Sequence, residues 1–221
     1  MAITQTYLYT SIDRLKTFLG TLVPKYFASV EYTDDTNTGV TCKDSDGNTI
    51  FTVEVDGSNW IYTAYADSEN HISKSDGYIK PVYGYTCANG AMIVLATSNN
   101  IHSVTDMRGG VIISKTNNGK TGFVIGGGAN YSNIYSTFNT CSWGDAVPLI
   151  SDVAGYRFSE GVTNQTQTLM LPFITHCALG EKSYFPNAFF IPVAQTRTVL
   201  GELVTDGVKY LTNGYWAIKD E

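Results

Sequence analysis

The feature that most constrains this sequence is a series of turn signals that recurs at short intervals after residue 28. Asp56-Gly57-Ser58-Asn59, for example, separates the run Thr49–Val55 from the run Trp60–Ala66. Both runs are rich in β-branched and aromatic residues, and in the second run neighbouring side chains alternate between two faces. Turn residues between alternating runs are typical of antiparallel hairpins. The sequence therefore predicts a mainly β fold, an antiparallel β-sandwich or meander built from hairpins.

The same pattern predicts further strands along the chain. Ala91–Ala96 is apolar without alternation, which indicates a strand covered on both faces. Residues 68–77 are interpreted as an exposed connection, and the Gly-, Ser-, Asn- and Tyr-rich residues 126–145 as a long surface loop. The other expected strands are Val30–Thr33, Val40–Lys43, Val82–Cys87, Val111–Lys115, Thr121–Ile125, Leu169–His176, Ala188–Val193, Glu202–Val204, Val208–Leu211 and Tyr215–Ile218.

One amphipathic helix is predicted near the N-terminus. Thr10 followed by Asp13 resembles a capping box, and Pro24 ends the pattern. This helix can pack on a sheet of the same chain or on a neighbouring subunit. The second alternative makes its apolar stripe a set of candidate oligomer contacts: Ile12, Leu15, Leu19 and Leu22.

The expected organisation is an N-terminal helical segment, residues 1–27, followed by two β halves. The first half is predicted to span 28–104 and the second 105–221, with the polar stretch around Ser98–Gly110 as their boundary. One continuous domain is the alternative, because 221 residues fit a single large β domain as well as two small ones.

Composition narrows the class of partner. Charged residues make up 15% of the chain, the net charge is −6, and 27 Thr outnumber the 14 Lys and Arg. An acidic chain without a basic cluster repels a phosphate backbone, so nucleic acid is excluded as an expected partner. No apolar stretch is long enough to span a bilayer, and no export signal is recognisable, so no membrane partner is expected either.

Motifs for catalysis and metal binding are absent from the sequence. There is no G-x-S-x-G elbow, and His71, His102 and His176 lie too far apart for a local metal site. Asp44–Asn48 begins like a calcium loop but lacks the closing acid, so it is interpreted as a turn. We therefore expect no enzyme, catalytic residue, metal or cofactor, although a glycan-cleaving hydrolase whose carboxylates meet only in the fold stays open.

The four cysteines are scattered along the chain, and spacing decides neither their pairing nor their redox state. We interpret Cys42, Cys87, Cys141 and Cys177 as buried thiols, with a disulfide as the alternative.

Aromatic residues in the polar segment after residue 128 are the remaining functional signal. Aromatic faces stack on sugars and anchor protein partners. The candidates for contact with a glycan or a partner are Tyr131, Tyr135, Phe138 and Trp143. Alternatively, these side chains pin their own loop.

The C-terminal segment from Asp206 to Glu221, DGVKYLTNGYWAIKDE, resembles the closing hairpins of virion-associated proteins of tailed bacteriophages and prophages of Gram-positive bacteria. The low charge and the Thr-, Asn-, Gly- and Tyr-rich strands add a general likeness. The resemblance implies a non-enzymatic head, neck or tail accessory protein that assembles in the host bacterial cytoplasm. Its expected partners are other virion proteins and further copies of itself. A carbohydrate- or receptor-binding module is the alternative.

Overall fold

The computed structural model describes residues 2–65, 71–76, 80–96, 107–127, 134–137, 171–176, 182–190, 201–205, 207–214 and 216–221. Within these residues it has one helix, α1 (Ile12–Gly20), and sixteen strands. The strands are β1 (Thr4–Tyr7), β2 (Ser29–Tyr32), β3 (Gly39–Lys43), β4 (Thr49–Asp56), β5 (Asn59–Tyr65), β6 (His71–Asp76), β7 (Lys80–Cys87), β8 (Gly90–Ala96), β9 (Met107–Lys115), β10 (Thr121–Gly127), β11 (Ile134–Thr137), β12 (Leu171–His176), β13 (Lys182–Phe190), β14 (Gly201–Thr205), β15 (Val208–Thr212) and β16 (Trp216–Lys219).

These strands form three antiparallel sheets. The central sheet has the order β1-β7-β8-β9-β10-β11, the N-terminal sheet β2-β3-β4-β5-β6 and the C-terminal sheet β12-β13-β16-β15-β14. None of the described sheets closes into a barrel. The prediction of a mainly β, antiparallel fold with one helix near the N-terminus is confirmed.

The helix begins one residue later than the sequence suggests. Ser11 is its N-cap and accepts a hydrogen bond from the backbone N–H of Arg14. Thr10 cannot serve as the cap because its φ of 58° lies in the left-handed region, whereas an N-cap residue is extended. Leu15, Phe18 and Leu19 are buried on the inner face of the helix.

The central sheet is covered on both faces. On one face Ala91, Ile93 and Leu95 of β8 join a core shared with α1 and the N-terminal sheet. On the other face a Cβ added at Gly90 would lie 3.1 Å from Ile218 of the C-terminal sheet. Every residue of β8 is buried, which confirms the prediction of a strand covered on both faces.

Three phenylalanines hold the N-terminal sheet against the central sheet. The ring centroid of Phe123 in β10 lies 5.0 Å from that of Phe51 in β4 and 6.3 Å from that of Phe27, both in stacked orientation. All three side chains are at most 1% exposed. Aromatic pairs of this geometry stabilise the fold by more than the burial of their ring surfaces alone.

Three polar contacts tie the β7–β8 turn to both outer layers. The ammonium of Lys25, which follows α1, donates to the carbonyl of Ala88. The Ala88 N–H donates to Oδ1 of Asp220 at 2.7 Å, and the amide of Asn89 donates to the carbonyl of Lys219. The end of the central sheet is therefore joined to residues on either side of it.

Two segments interpreted as connections contain strands. Residues 71–76 form β6, which pairs with β5, because an edge strand needs backbone pairing rather than an apolar pattern. Residues 134–137, within the expected long loop, form β11 and pair with β10. The expected boundary near residue 104 falls between β8 and β9, which are hydrogen-bonded neighbours in the central sheet.

Glycines on the central sheet admit large side chains from the adjacent layers. A Cβ at Gly84 would lie 2.6 Å from the Phe18 ring, and one at Gly122 would lie 2.8 Å from the Phe185 ring. We expect Gly84→Ala to lower the free energy of unfolding by about 1–3 kcal/mol, because the buried ring has no room to withdraw. Denaturant unfolding measures this effect.

The matched control is Gly20→Ala at the end of α1, where nothing lies within 4 Å of the added Cβ. This variant should be neutral or more stable by up to about 1 kcal/mol. Equal stability of the Gly84→Ala variant and the wild type would contradict the packing described.

Candidate interaction surface

A cluster of tyrosines lies where β1 leaves the central sheet. In the register of β1 and β7, Tyr7 is directly opposite Tyr83. Leu8, the residue between Tyr7 and Tyr9, is fully buried in the core, whereas Tyr7 and Tyr9 are 48% and 45% exposed. Among the described residues the only other large hydrophobic side chain so exposed is Val204. We call Tyr7, Tyr9, Tyr83 and Arg14 the tyrosine patch.

The rings of the tyrosine patch are ordered by one another. Tyr7 stacks on Tyr9 with ring centroids 5.4 Å apart and meets Tyr83 edge-on at 5.2 Å. The guanidinium of Arg14, from the first turn of α1, lies 4.8 Å from the Tyr9 ring centroid. Arg14 Nη1 also donates to the Tyr7 carbonyl at 3.5 Å. The cluster therefore combines aromatic rings with one cation, the residue types enriched at the energetic centres of protein interfaces.

Backbone strain fixes the position of Tyr9. Tyr9 and Thr10 have φ values of 47° and 58°. This region is disfavoured for residues with a Cβ, most of all for a β-branched residue such as Thr10. The conformation is held by hydrogen bonds from Thr10 N–H to the Pro81 carbonyl at 2.9 Å and from Ser11 N–H to the Leu8 carbonyl at 3.0 Å. The turn directs the Tyr9 ring back onto Tyr7.

Arg14 is the one basic side chain of the tyrosine patch, and none of the four residues is acidic. Partial burial and the adjoining Tyr7 and Tyr9 raise the pKa of Tyr83, which favours its neutral phenol. Within the described residues, no carboxylate forms an ion pair with Arg14. A partner that covers the patch would therefore desolvate few charges.

A cavity of about 620 Å³ lies between the turn that joins β3 to β4 and the β9–β10 hairpin. Its walls carry Asp44, Asp46, Lys115 and Lys120. The Asp44 carboxylate is already used within its own turn, where Oδ1 accepts the N–H groups of Asp46 at 3.0 Å and Asn48 at 2.9 Å. This confirms the interpretation of residues 44–48 as a turn.

Of the two lysines that line this cavity, Lys115 is the more buried. Its ammonium donates to Thr121 Oγ1 at 3.0 Å and lies 5.7 Å from the ring centroid of Tyr26. Burial and the nearby ammonium of Lys25 lower the pKa of Lys115. Acidic and basic side chains share this cavity, so its charge does not favour one class of small ligand.

The face of the N-terminal sheet that points away from the core carries a row of hydroxyl side chains, two of which, those of Thr52 and Thr63, are nevertheless buried. Thr41, Thr52, Thr63 and Ser73 lie side by side across β3, β4, β5 and β6. Thr63 Oγ1 lies 2.7 Å from Ser73 Oγ. A shallow groove of about 400 Å³ on this face is lined by Thr33, Thr41, Asn48, Thr49, Thr52 and Tyr65.

The helix residues predicted as oligomer contacts lie in the core of their own chain. Leu15 and Leu19 are 0% exposed and Leu22 is 5% exposed, and Ile12 packs on the same core. The described structure thus corresponds to the alternative in which the stripe packs within its own chain. The three leucines present no surface to a neighbouring subunit.

The aromatic candidates after residue 128 fall largely outside the described residues. Tyr131, Phe138 and Trp143 are not described. Tyr135 lies in β11, opposite Ile125 of β10, and only its backbone is described. Of the cysteines, Cys42 and Cys87 are buried free thiols, and burial raises the pKa of Cys87 to about 11.

The tyrosine patch itself is missing from the sequence-based candidates. The signal that could have found it is the alternation Tyr7-Leu8-Tyr9, in which a buried Leu requires both neighbours to face outward. Arg14 and Tyr83 could not be added without the β1–β7 pairing.

Comparison with models of known protein families gives no match, and comparison with curated proteins gives no significant match. Across the part of the chain that is described, no helix has the length and apolar character needed to cross a membrane. In that same part, no group of three or more His, Cys, Asp or Glu is arranged to hold a metal ion.

Strain at Thr10 gives a direct test of the patch geometry. We expect Thr10→Gly to raise the free energy of unfolding by about 0.5–1 kcal/mol, because glycine adopts positive φ without a steric penalty. The control is Thr6→Gly in the extended strand β1, where the same change should lower stability by about 1 kcal/mol. Thermal and denaturant unfolding measure both, and a loss of stability in Thr10→Gly would contradict the strained turn.

Proposed function

We propose that this chain is a protein-binding structural protein that acts through surface contacts. The observation that carries the proposal is the tyrosine patch, an exposed aromatic cluster whose ring positions are fixed by core packing and backbone strain. Preorganised aromatic side chains bind with little further loss of conformational entropy. A low content of charged residues, 15%, also suits a surface that becomes buried in an assembly.

Within this class, we propose a non-enzymatic component of a tailed-phage virion: a head, neck or tail accessory protein assembled in the host bacterial cytoplasm. The support is the resemblance of residues 206–221 together with the hydroxyl-rich, weakly charged strands. The resembling segment contains β15 and β16, which pair with each other inside the C-terminal sheet. Its proposed partners are other virion proteins and further copies of the chain.

Purified particles test this proposal. We expect mass spectrometry to detect the chain in virions purified from a lysate of the strain that encodes it. In particles complemented with a Tyr7→Ser/Tyr9→Ser variant, we expect incorporation to fall at least about tenfold, because truncation of interface aromatics typically costs 2 kcal/mol or more. Val204→Ser is the matched control, since it removes another exposed hydrophobic side chain.

Two outcomes would overturn parts of the proposal. Absence of the chain from purified virions removes the virion role. Normal incorporation of the double tyrosine variant, with the chain present, removes the tyrosine patch as the contact. Circular dichroism of each variant establishes that the loss does not reflect unfolding.

A carbohydrate-binding role is the second candidate, favoured by the hydroxyl-lined groove of the N-terminal sheet. Its Thr hydroxyls and the Asn48 amide can hydrogen-bond a sugar, and the Tyr65 ring, 5.6 Å from His71, can pack against one. If this is correct, a cell-surface glycan binds the purified protein, and Tyr65→Ala weakens binding at least about tenfold while Tyr7→Ser does not. An array without binding at about 1 mM sugar would remove this candidate.

A further inference from the structure

Among the described strands, none pairs with the outer backbone edge of β1. Leu8 N–H donates to the carbonyl of Val82 in β7 at 2.9 Å. Alternate residues of a strand direct their backbone groups to the same side, so Thr6 also points towards β7. Gln5 and Tyr7 therefore direct their N–H and C=O groups away from β7, where the Tyr7 carbonyl already accepts a hydrogen bond from Arg14 Nη1 at 3.5 Å. In the described sheet, β1 is the last strand on that side.

This edge lacks the features that normally prevent strands from pairing between molecules. Such features are charged residues, proline and bulges. Thr4–Tyr7 contains no charge and no proline, and its register with β7 is unbroken. β11 is also uncharged, but its side chains and flanking residues are not described. The remaining edge strands carry Glu31 in β2, Lys74 and Asp76 in β6, Pro172 in β12 and Glu202 in β14.

The sequence of β1 is compatible with itself in an antiparallel pair. With Thr6 on the two-fold axis, Gln5 of one copy lies opposite Tyr7 of the other. Both residues have outward backbone groups, so each such pair exchanges two hydrogen bonds, one of them to the Tyr7 carbonyl through the lone pair that Arg14 does not use. No like charges become neighbours, and the exposed Tyr7 side chain gains a cross-strand partner.

We propose that β1 pairs with β1 of a second copy of this chain, so that the central sheet continues through both copies. The interface is isologous, as expected for a two-fold dimer. This proposal deepens the proposed structural role and rests on it for the expectation that copies of the chain meet in an assembly. The occupant is a second copy because an uncharged, self-complementary strand needs no complementary charge from a different partner.

Gln5→Pro tests the pairing with little effect on the fold. Proline removes one outward N–H, whereas the bonds from β1 to β7 involve Thr4, Thr6 and Leu8. Gln5→Ala is the matched control because it shortens the same side chain and keeps the N–H. Circular dichroism and thermal unfolding of both variants establish that each is folded.

Sedimentation velocity of the purified full chain, from about 1 to 100 µM, is the first measurement. We expect the wild type and Gln5→Ala to dimerise with dissociation constants within about twofold of each other. We expect Gln5→Pro to raise that constant at least about tenfold. A wild type that is monomeric throughout, or dimerisation unaffected by Gln5→Pro, would overturn the proposal.

Amide hydrogen exchange gives a second, local readout. The amides of Gln5 and Tyr7 should become protected as the concentration rises, whereas the Thr6 amide should be protected at both ends of the range. Concentration-independent exchange at Gln5 and Tyr7 would contradict β1 pairing even if a dimer forms.

A failure of the proposed β1 pairing can be distinguished from a failure of the proposed virion role. A monomeric chain that is nevertheless incorporated into particles would overturn self-pairing and leave the proposed function in place. If the isolated chain is monomeric and Gln5→Pro blocks incorporation, a different protein occupies the edge, which also overturns pairing with a second copy.

Discussion

Burial of the central sheet on both faces is the constraint on which the rest of the structure depends. A strand such as β8, with every residue buried, must find apolar partners above and below it. The N-terminal sheet with α1 supplies one cover and the C-terminal sheet supplies the other. Close approach of three layers then requires small residues, which is why Gly90 and Gly122 lie beneath Ile218 and Phe185. The resulting body leaves little apolar surface exposed in the described residues.

The same burial also encloses polar groups at the end of the central sheet, and these groups need hydrogen-bond partners. The turn at Ala88 is joined to Lys25 on one side and Asp220 on the other, which satisfies its N–H and carbonyl. Yet Tyr26 Oη and Asp220 Oδ2 are buried without a hydrogen-bond partner among the described residues. Burial raises the pKa values of Tyr26 and Cys87, and the proximity of Cys87 to Tyr26 and of Asp220 to Cys87 raises them further. Unpaired buried polar atoms lower the stability of the fold. The contacts at Ala88 therefore hold the layers together next to two polar atoms that destabilise it.

Local sequence patterns predict the hairpins well because the turn residues and the alternation in the adjoining strands are enough to specify a hairpin. The turn at Gly57 and Ser58 joins Asp56 to Asn59 as its residue types require, and Tyr62 and Ala64 face the core as the alternation indicates. Prediction is poorer for strands whose formation depends on backbone pairing alone. The polar strand β6 and the four-residue strand β1 have no apolar signature, since each is ordered by pairing with a neighbour. The tyrosine patch depends on the pairing of β1 with β7, so it is not among the sequence-based candidates.

The strained turn at Tyr9 and Thr10 explains why an aromatic cluster can stay ordered at an exposed edge. Exposed rings on a relaxed turn would exchange between rotamers and lose their mutual contacts. Here the buried side chain of Leu8 on one side and the helix cap at Ser11 on the other fix the chain at both ends of the turn. The strain is therefore balanced by core packing and by the bonds to β7, and residues of the core determine the geometry of the surface. Because β1 carries both this cluster and the outer backbone edge, a contact along the edge would use side chains that are already in place.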